Sequence, residues 1–368
     1  MARKLKSDKV LFLATLLLVL AGIVMVYSAS AKIGEERFHS PYLFLIKQSM
    51  WVGMGLAMLG LVMRVDYRAW KQPVLIWSAL GTVVIALVAV LFSAPINGTR
   101  RWFGIGGFGV QPSELAKLAA IFFTAALLER RMHRIDEARY SLLPIGLVIG
   151  ALTALVLLEP DFGTAVSIAL VAAVMVFAAG LNWRYVAYAT VLLVPPTIYV
   201  LLSANYRRTR LTSFMNPERD PLGAGFQLLQ SLIAIGTGGV SGKGLMAGVQ
   251  KLFYLPEPHT DFIFAVIGEE LGLVGTTLTL LAFLIITCRG VQIAARAPDR
   301  FGSFLALGLT AMIAVQAFIN LSVVVGLMPT KGIPLPFVSA GGSSLLINLV
   351  GMGILLNVSQ HASMVNEA

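Results

Sequence analysis

Long apolar runs separated by short polar connectors dominate this chain. Runs of about 20 apolar residues carry an α-helix through a bilayer core. Such runs fall at roughly 10–28, 45–63, 73–93, 113–129, 142–158, 163–181, 185–203, 262–287, 302–327 and 341–359. The pattern predicts an all-α integral membrane protein of about ten transmembrane helices, one polytopic domain over residues 1–368. An even number of crossings puts both chain ends on one side of the membrane. The first run follows ARKLKSDK, as the core of a signal peptide would, but no small-x-small cleavage site precedes the next polar segment, so a retained helix is expected.

The connectors differ between the two sides. One side has ordinary polar linkers. The other has 95–113 (PINGTRRWFGIGGFGVQPS), 328–344 (MPTKGIPLPFVSAGGSS) and a long loop over 204–261. That loop holds an apolar stretch, QSLIAIG, and a glycine-rich one, GTGGVSGKG, so it is expected to be partly ordered and to pack on or dip into the membrane. The glycine-rich stretch departs from a nucleotide-binding loop, which needs Gly where Thr237 stands and Ser or Thr where Gly244 follows Lys243.

Composition agrees with the pattern. The chain is 57% hydrophobic and 12% charged, with a mean hydropathy of +0.83, which excludes a soluble domain of this size. With the N-terminus cytoplasmic, 15 of the 28 Lys and Arg fall on the inner side and six more lie in the long outer loop. Long loops weigh little in the positive-inside rule, so the comparison is 15 against 7 and both termini are expected to be cytoplasmic. The net charge of +10 partly reflects this anchoring. No basic, aromatic-interleaved soluble module points to nucleic acid. The single cysteine, Cys288, excludes an intrachain disulfide, and the four scattered His do not suggest a zinc site.

Candidate chemistry gathers on the outer side. Glu257, His259 and Asp261 fall within five residues, in YLPEPHTDFIFAVIGEELGLVG, just before an apolar run. A carboxylate at a membrane entrance has its pKa raised by desolvation and can serve as a general base. The plainer reading is that Thr260 or Asp261 caps the following helix. Glu114 and Lys117 share one helix face by their spacing, either as cavity residues or as a structural ion pair with Ser113 as cap. Glu159 and Asp161 flank Pro160 at a re-entry turn, where Asp161 can also cap. Arg100, Arg101, Lys243, Lys251 and Lys331 run against the positive-inside trend and suit anionic phosphates or lipid headgroups. Ser343 and Ser344 either cap the last helix or bind a ligand oxygen.

Five segments in order, NGTRRWFGIGGFGVQPSELAK, EPDFGT, FMNPERDPLGAGFQLLQSLIAIGTGGVSGKG, GVQKLFYLPEPHTDFIFAVIGEELG and GLMPTKGIPLPFVSAGGSS, give a chain-long resemblance to the SEDS family (shape, elongation, division and sporulation). Its wording is closest to the cell-division branch, with the elongation branch as near relative. It departs from the family pattern at Glu159, where Gln is common, and at Ala340, where an aromatic residue is common.

The resemblance implies the SEDS fold and a peptidoglycan glycosyltransferase in the bacterial cytoplasmic membrane, at the division septum. Such an enzyme polymerises lipid II into β-1,4 glycan strands with inversion. It implies Asp261 as general base and Glu114, Lys117 and Asp161 as cavity residues. Arg101 and Lys331 are candidates for diphosphate contact, and His259 and Ser343 for substrate binding. The partners implied are lipid II, the nascent glycan strand, membrane lipids, a class B penicillin-binding transpeptidase and other division proteins. No protein-held metal cage is visible, so a divalent cation such as Mg2+ or Mn2+ would be held partly by substrate phosphates. The competing readings are a lipid II flippase, for which Glu114, Lys117 and Glu269 would mark an internal path, and a recruiting scaffold.

Overall fold

A computed structural model describes residues 7–365 except 96–97, 106–107, 136, 186, 189–190, 192–194, 196–208, 210–212, 222, 224 and 253. The described α-helices are α1 (Lys9–Phe38), α2 (Leu43–Val62), α3 (Pro73–Val90), α4 (Pro112–Arg131), α5 (Leu143–Leu158), α6 (Phe162–Ala178), α7 (Phe226–Gly238), α8 (Ile263–Arg296), α9 (Arg300–Val324) and α10 (Gly342–Val365). Seven of the described helices are long and apolar enough to cross a bilayer, so this is a multi-pass membrane protein with an all-α architecture. The expected span at 185–203 lies largely outside the described residues.

Two further described helices, α4 and α6, fall outside this set. Helix α6 has 17 residues, at the short end of what a bilayer crossing needs. Helix α4 carries too many charges to read as a lipid-facing span, because it is not one. It is buried along nearly its whole length, against α3, α6 and α9. Its Glu114, Lys117 and Glu129 side chains engage protein partners rather than lipid. A further departure is a small antiparallel hairpin between α3 and α4, β1 (Phe103–Ile105) and β2 (Phe108–Val110), pairing Phe103 with Val110 and Ile105 with Phe108.

Helix α8 shows the largest departure from the apolar pattern. It is not one straight rod. Gly272 has φ +63° and ψ −156° inside it, so a short segment, 263–271, is set off from a longer one, 273–296. The interruption is filled by the glycine-rich loop after α7. Leu273 N–H donates to Gly239 O (2.9 Å), while Lys243 and Gly244 N–H donate to Glu269 O and Glu270 O (3.0 Å each). A Cβ at Gly272 would lie 2.4 Å from Gly242 N, so only glycine allows both the positive φ and this approach.

Both chain ends meet on one face. Asp8 caps α1 by accepting from Leu11 N–H (3.0 Å), takes Arg289 Nη2 at 2.6 Å, and its own N–H donates to Ser359 Oγ (3.1 Å). On the same face Tyr67 N–H donates to Asn357 Oδ1 (2.9 Å) and its hydroxyl to Asp299. The connectors containing Arg101, Asp161, Asp261 and Lys331 occupy the opposite face.

Candidate active site

Asp261 lies in the segment that leads into α8. The helix begins at Ile263 with Phe262 as N-cap, and no side chain closes that cap. Neither Thr260 nor Asp261 therefore does the capping that local sequence allows. Thr260 Oγ1 turns back to Glu257 O and Oε2 (3.4 Å each). Among the described residues nothing hydrogen-bonds the Asp261 carboxylate, whose lone pairs remain available.

The backbone around it is tightly held. Asn320 Nδ2, from α9, donates to Asp261 O (2.8 Å) and to Ile333 O (2.7 Å). Ser339 Oγ donates to Thr260 O (2.5 Å) and accepts from Leu335 N–H (2.8 Å), while Ala340 N–H donates to His259 O (2.9 Å). The loop before α10 is thus stitched onto residues 259–261. At Gly332 it comes so close that a Cβ would sit 2.7 Å from Asp261 Oδ2.

The half-buried Asp261 carboxyl is pushed up to about 7. Burial is the main cause, the charges of Glu257 and Asp161 add to it, and Arg101 opposes. These groups come from three different connectors, so the fold brings together residues that are far apart in sequence.

Asp161 caps α6 through Thr164 N–H (3.1 Å), and its Oδ2 accepts from Thr164 Oγ1 and Gln111 Nε2 (2.8 Å each). Arg101 donates to the turn carbonyls of Glu159 (2.9 Å) and Pro160 (3.1 Å) rather than to either carboxylate. Glu159 is fully buried, and neither carboxylate oxygen has a hydrogen-bond partner among the described residues. Burial, helped by Asp161, raises its pKa to about 8, with Arg101 opposing.

Other expected residues fall at varying distances from this centre. His259 packs its ring on Phe44 at 4.7 Å, and burial lowers its pKa. Lys331 Nζ stands 4.3 Å over the Phe162 ring, on the rim. Glu114 and Lys117 form a buried pair (2.8 Å), and Lys117 Nζ also donates to Gln316 Oε1 (2.9 Å). Beneath Lys117 the lining turns apolar, with Ala120, Ile121, Ile168, Val171, Ala172 and Met175.

Several expectations are corrected. Ser113 does not cap α4; Pro112 opens that helix after Gln111, and the Ser113 hydroxyl is buried without a partner among the described residues. Ser343 is buried and accepts from Gln111 N–H (3.4 Å). Ser344 accepts from Gln316 Nε2 (3.3 Å). Glu269 is not on an internal path: it takes Lys243 Nζ at 2.7 Å and the N–H groups of Val249 and Gln250. Lys243 and Lys251 are likewise engaged, the latter with Glu270 at 2.6 Å, so neither is set out for a phosphate.

Sequence reasoning missed Gln111, Asn320, Gly332 and Ser339. Gln111, Gly332 and Ser339 carry only the signal of lying in the polar, Gly/Pro-rich segments that flank the spans, and Asn320 is an amide within the apolar run 302–327. Among the described residues no three His, Cys, Asp or Glu side chains come together as a metal-holding group.

A family model described as "Cell cycle protein", covering FtsW, RodA and SpoVE, matches residues 8–364. A probable peptidoglycan glycosyltransferase FtsW from Geobacter sp. (strain M18) is 42% identical, covering 96% of each chain. Stage V sporulation protein E of Bacillus subtilis (strain 168) is 43% identical over 98% of this chain and 99% of its own. Among solved structures, one from a peptidoglycan synthase complex that coordinates polymerization and crosslinking matches with a TM-score of 0.80 and 32% identity, over 97% of this chain and 99% of that one. The rod shape determining protein RodA of Thermus thermophilus matches with a TM-score of 0.71 and 28% identity, over 97% of each chain.

Proposed function

The chain belongs to the FtsW/RodA/SpoVE family of cell-cycle proteins, and we propose that it is a peptidoglycan glycosyltransferase of cell division, polymerising lipid II on the outer face of the cytoplasmic membrane. The observation that carries this reading is Asp261: a half-buried carboxylate, free of capping duty, with a pKa near 7. A general base works best when its pKa lies near the working pH.

In the proposed step Asp261 takes the proton of the acceptor sugar's 4-hydroxyl. The oxygen attacks the donor's anomeric carbon from the face opposite the undecaprenyl diphosphate. The bond to the diphosphate breaks, its electrons leave with the phosphate oxygen, and the α-linked donor becomes a β-1,4 product. Arg101 and Lys331, on the same rim, neutralise the charge that develops on the leaving group. Mg2+ or Mn2+ enters this proposal only as a counter-ion carried on the substrate's diphosphate. Asp161 and its Gln111 and Thr164 partners hold the acidic wall of the site in place.

The same reading places both termini in the cytoplasm, the working face outside and the protein at the septum. It also supplies a class B penicillin-binding transpeptidase as partner, since a new strand is cross-linked where it emerges; the similar solved structure from a synthase complex supports this pairing. A flippase is disfavoured because the polar chain through Lys117 gives way to apolar lining and Glu269 is locked to a loop.

The test is polymerisation of labelled lipid II by the purified protein with its cognate transpeptidase, comparing wild type with Asp261→Asn. Long strands from wild type only, with both proteins equally folded and partnered, are expected. Normal polymer from Asp261→Asn removes this mechanism. No polymer from a folded, partnered wild type shifts the assignment to transport or scaffolding.

A further inference from the structure

The face that carries both chain ends has a recess of about 290 Å3 where α1, α8 and α10 converge. Lys9, Arg289, Gln292, Arg296 and Ser359 line it, together with Asp8. Its floor is built from side chains that hold each other. Arg289 Nε donates to Asp8 Oδ2 (2.8 Å) and its Nη1 to Gln292 Oε1 (3.0 Å). Asp8 is thereby consumed: Oδ2 by Arg289, Oδ1 by the α1 cap, and its N–H by Ser359. Three cations thus face one neutralised carboxylate. Among the described residues Lys9 and Arg296 have no acidic partner.

The surroundings say what kind of anion fits. Helices α1 and α8 run antiparallel, joined here by Asp8–Arg289 (2.6 Å) and at the far end by Ser28–Glu270 (2.7 Å). From the recess toward the membrane centre, Val10, Leu13 and Leu17 form one exposed apolar stripe on α1 by their i, i+3, i+7 spacing. On α8 the face that bears Gln292 and Arg296 continues as Ile285, Leu281 and Leu278, also exposed. In a spanning segment, exposed apolar side chains face lipid tails. A cationic recess therefore opens onto two parallel apolar stripes, the outline of an amphiphile with an acidic head.

We propose that this recess is a binding site for the phosphate headgroup of an anionic phospholipid, its acyl chains lying along the α1 and α8 stripes. Basic pockets between membrane helices suit such headgroups. The site is remote from Asp261 and independent of the proposed glycosyl transfer. It ties lipid binding to the contact that joins the first and last helices.

The test is native mass spectrometry of the purified full-length protein titrated with phosphatidylglycerol or phosphatidylethanolamine. Wild type is compared with Lys9→Gln/Arg296→Gln, which leaves the Asp8–Arg289 pair intact, and with Arg64→Gln, an exposed cation on the same face outside the recess. Two such charges are worth about 30-fold in affinity. The expected result is one phosphatidylglycerol retained by wild type and by Arg64→Gln, with the double variant weaker by that factor and unfolding at the same temperature. Equal retention by wild type and the double variant overturns the site. So does equal retention of phosphatidylethanolamine, or an equal loss in Arg64→Gln, which reports general surface attraction. Inorganic phosphate alone competing as well as the lipid assigns the recess to a free anion and overturns the lipid.

Discussion

At the scale of single residues, the proposed glycosyl transfer turns on the state of one carboxyl group. Asp261 titrates near 7 instead of its ordinary 3.8 because it is buried beside Glu257 and Asp161. The sign follows from linkage. A raised acid pKa means the folded state holds this proton more tightly than the unfolded chain, so ionisation lowers stability as pH rises from about 4 to about 7. The ionised form is also the one that accepts a proton. Polymerisation is therefore expected to fall about tenfold per pH unit below 7 and to level off above it. Initial rates with saturating lipid II across pH 5.5–8.5 check this, and a flat profile down to pH 5.5 counts against Asp261 as the titrating base. Gly332→Ala probes the same group from the other side. A Cβ 2.7 Å from Oδ2 pushes the carboxylate off its position while leaving the backbone unstrained. A displacement of about 1 Å costs about 100-fold in rate. The expected outcome is that loss in kcat with an unchanged melting temperature; wild-type kcat would show that Asp261 has slack. Asp261 itself was legible in the sequence, because three ionisable residues crowd the start of an apolar run. Gly332 and Asn320 were not, since their importance comes from contacts with Asp261 across 59 residues or more of chain.

At the scale of elements, local pattern gave the helices and missed the break. Residues 262–287 read as one uninterrupted span because Gly272 sits in an apolar run and hydropathy is blind to φ. The readable signal was the adjacent pair Glu269–Glu270, which no lipid-facing helix tolerates. The structure resolves the conflict with Lys243 and Lys251 from the long outer loop, whose glycine-rich stretch the sequence marked as partly ordered without showing what it packs on. Each buried carboxylate is matched by one lysine and by backbone N–H donors from the same loop. Removing one partner of such a pair leaves an uncompensated buried charge, at a cost of about 3–5 kcal/mol. Lys251→Met should therefore lower the melting temperature sharply, and Lys251→Met/Glu270→Gln should recover most of it. Thermal unfolding of the two singles and the double in detergent measures the coupling. Additive losses would mean that Glu270 does not depend on Lys251, and that the loop is held at Gly272 by backbone contacts alone.

At the scale of the whole molecule, a polar chain links the buried centre to the working face. Glu114 on α4 holds Lys117, Lys117 donates to Gln316 on α9, and Gln316 Nε2 donates to Pro334 O (2.9 Å) in the loop that presses Gly332 against Asp261. The i, i+3 spacing made the first link legible, but the helix looked like an ordinary span. Only its burial by three neighbours shows that it is the post around which the site is hung. This arrangement separates two roles for the ion pair. Glu114→Gln or Lys117→Met alone strands a charge and should destabilise the fold by about 3–5 kcal/mol. The double variant removes both charges and should regain stability. It does not restore the donor that orients Gln316, so the hold of Gln316 on Pro334 slackens and Asp261 loses part of its placement. The expected outcome is a double variant with near wild-type melting temperature, unchanged KM and kcat at or below about a tenth of wild type. Recovery of kcat along with stability would reduce the pair to packing. A rise in KM with kcat intact would instead put Lys117 in contact with substrate, moving the binding site from the rim to the centre of the helix bundle.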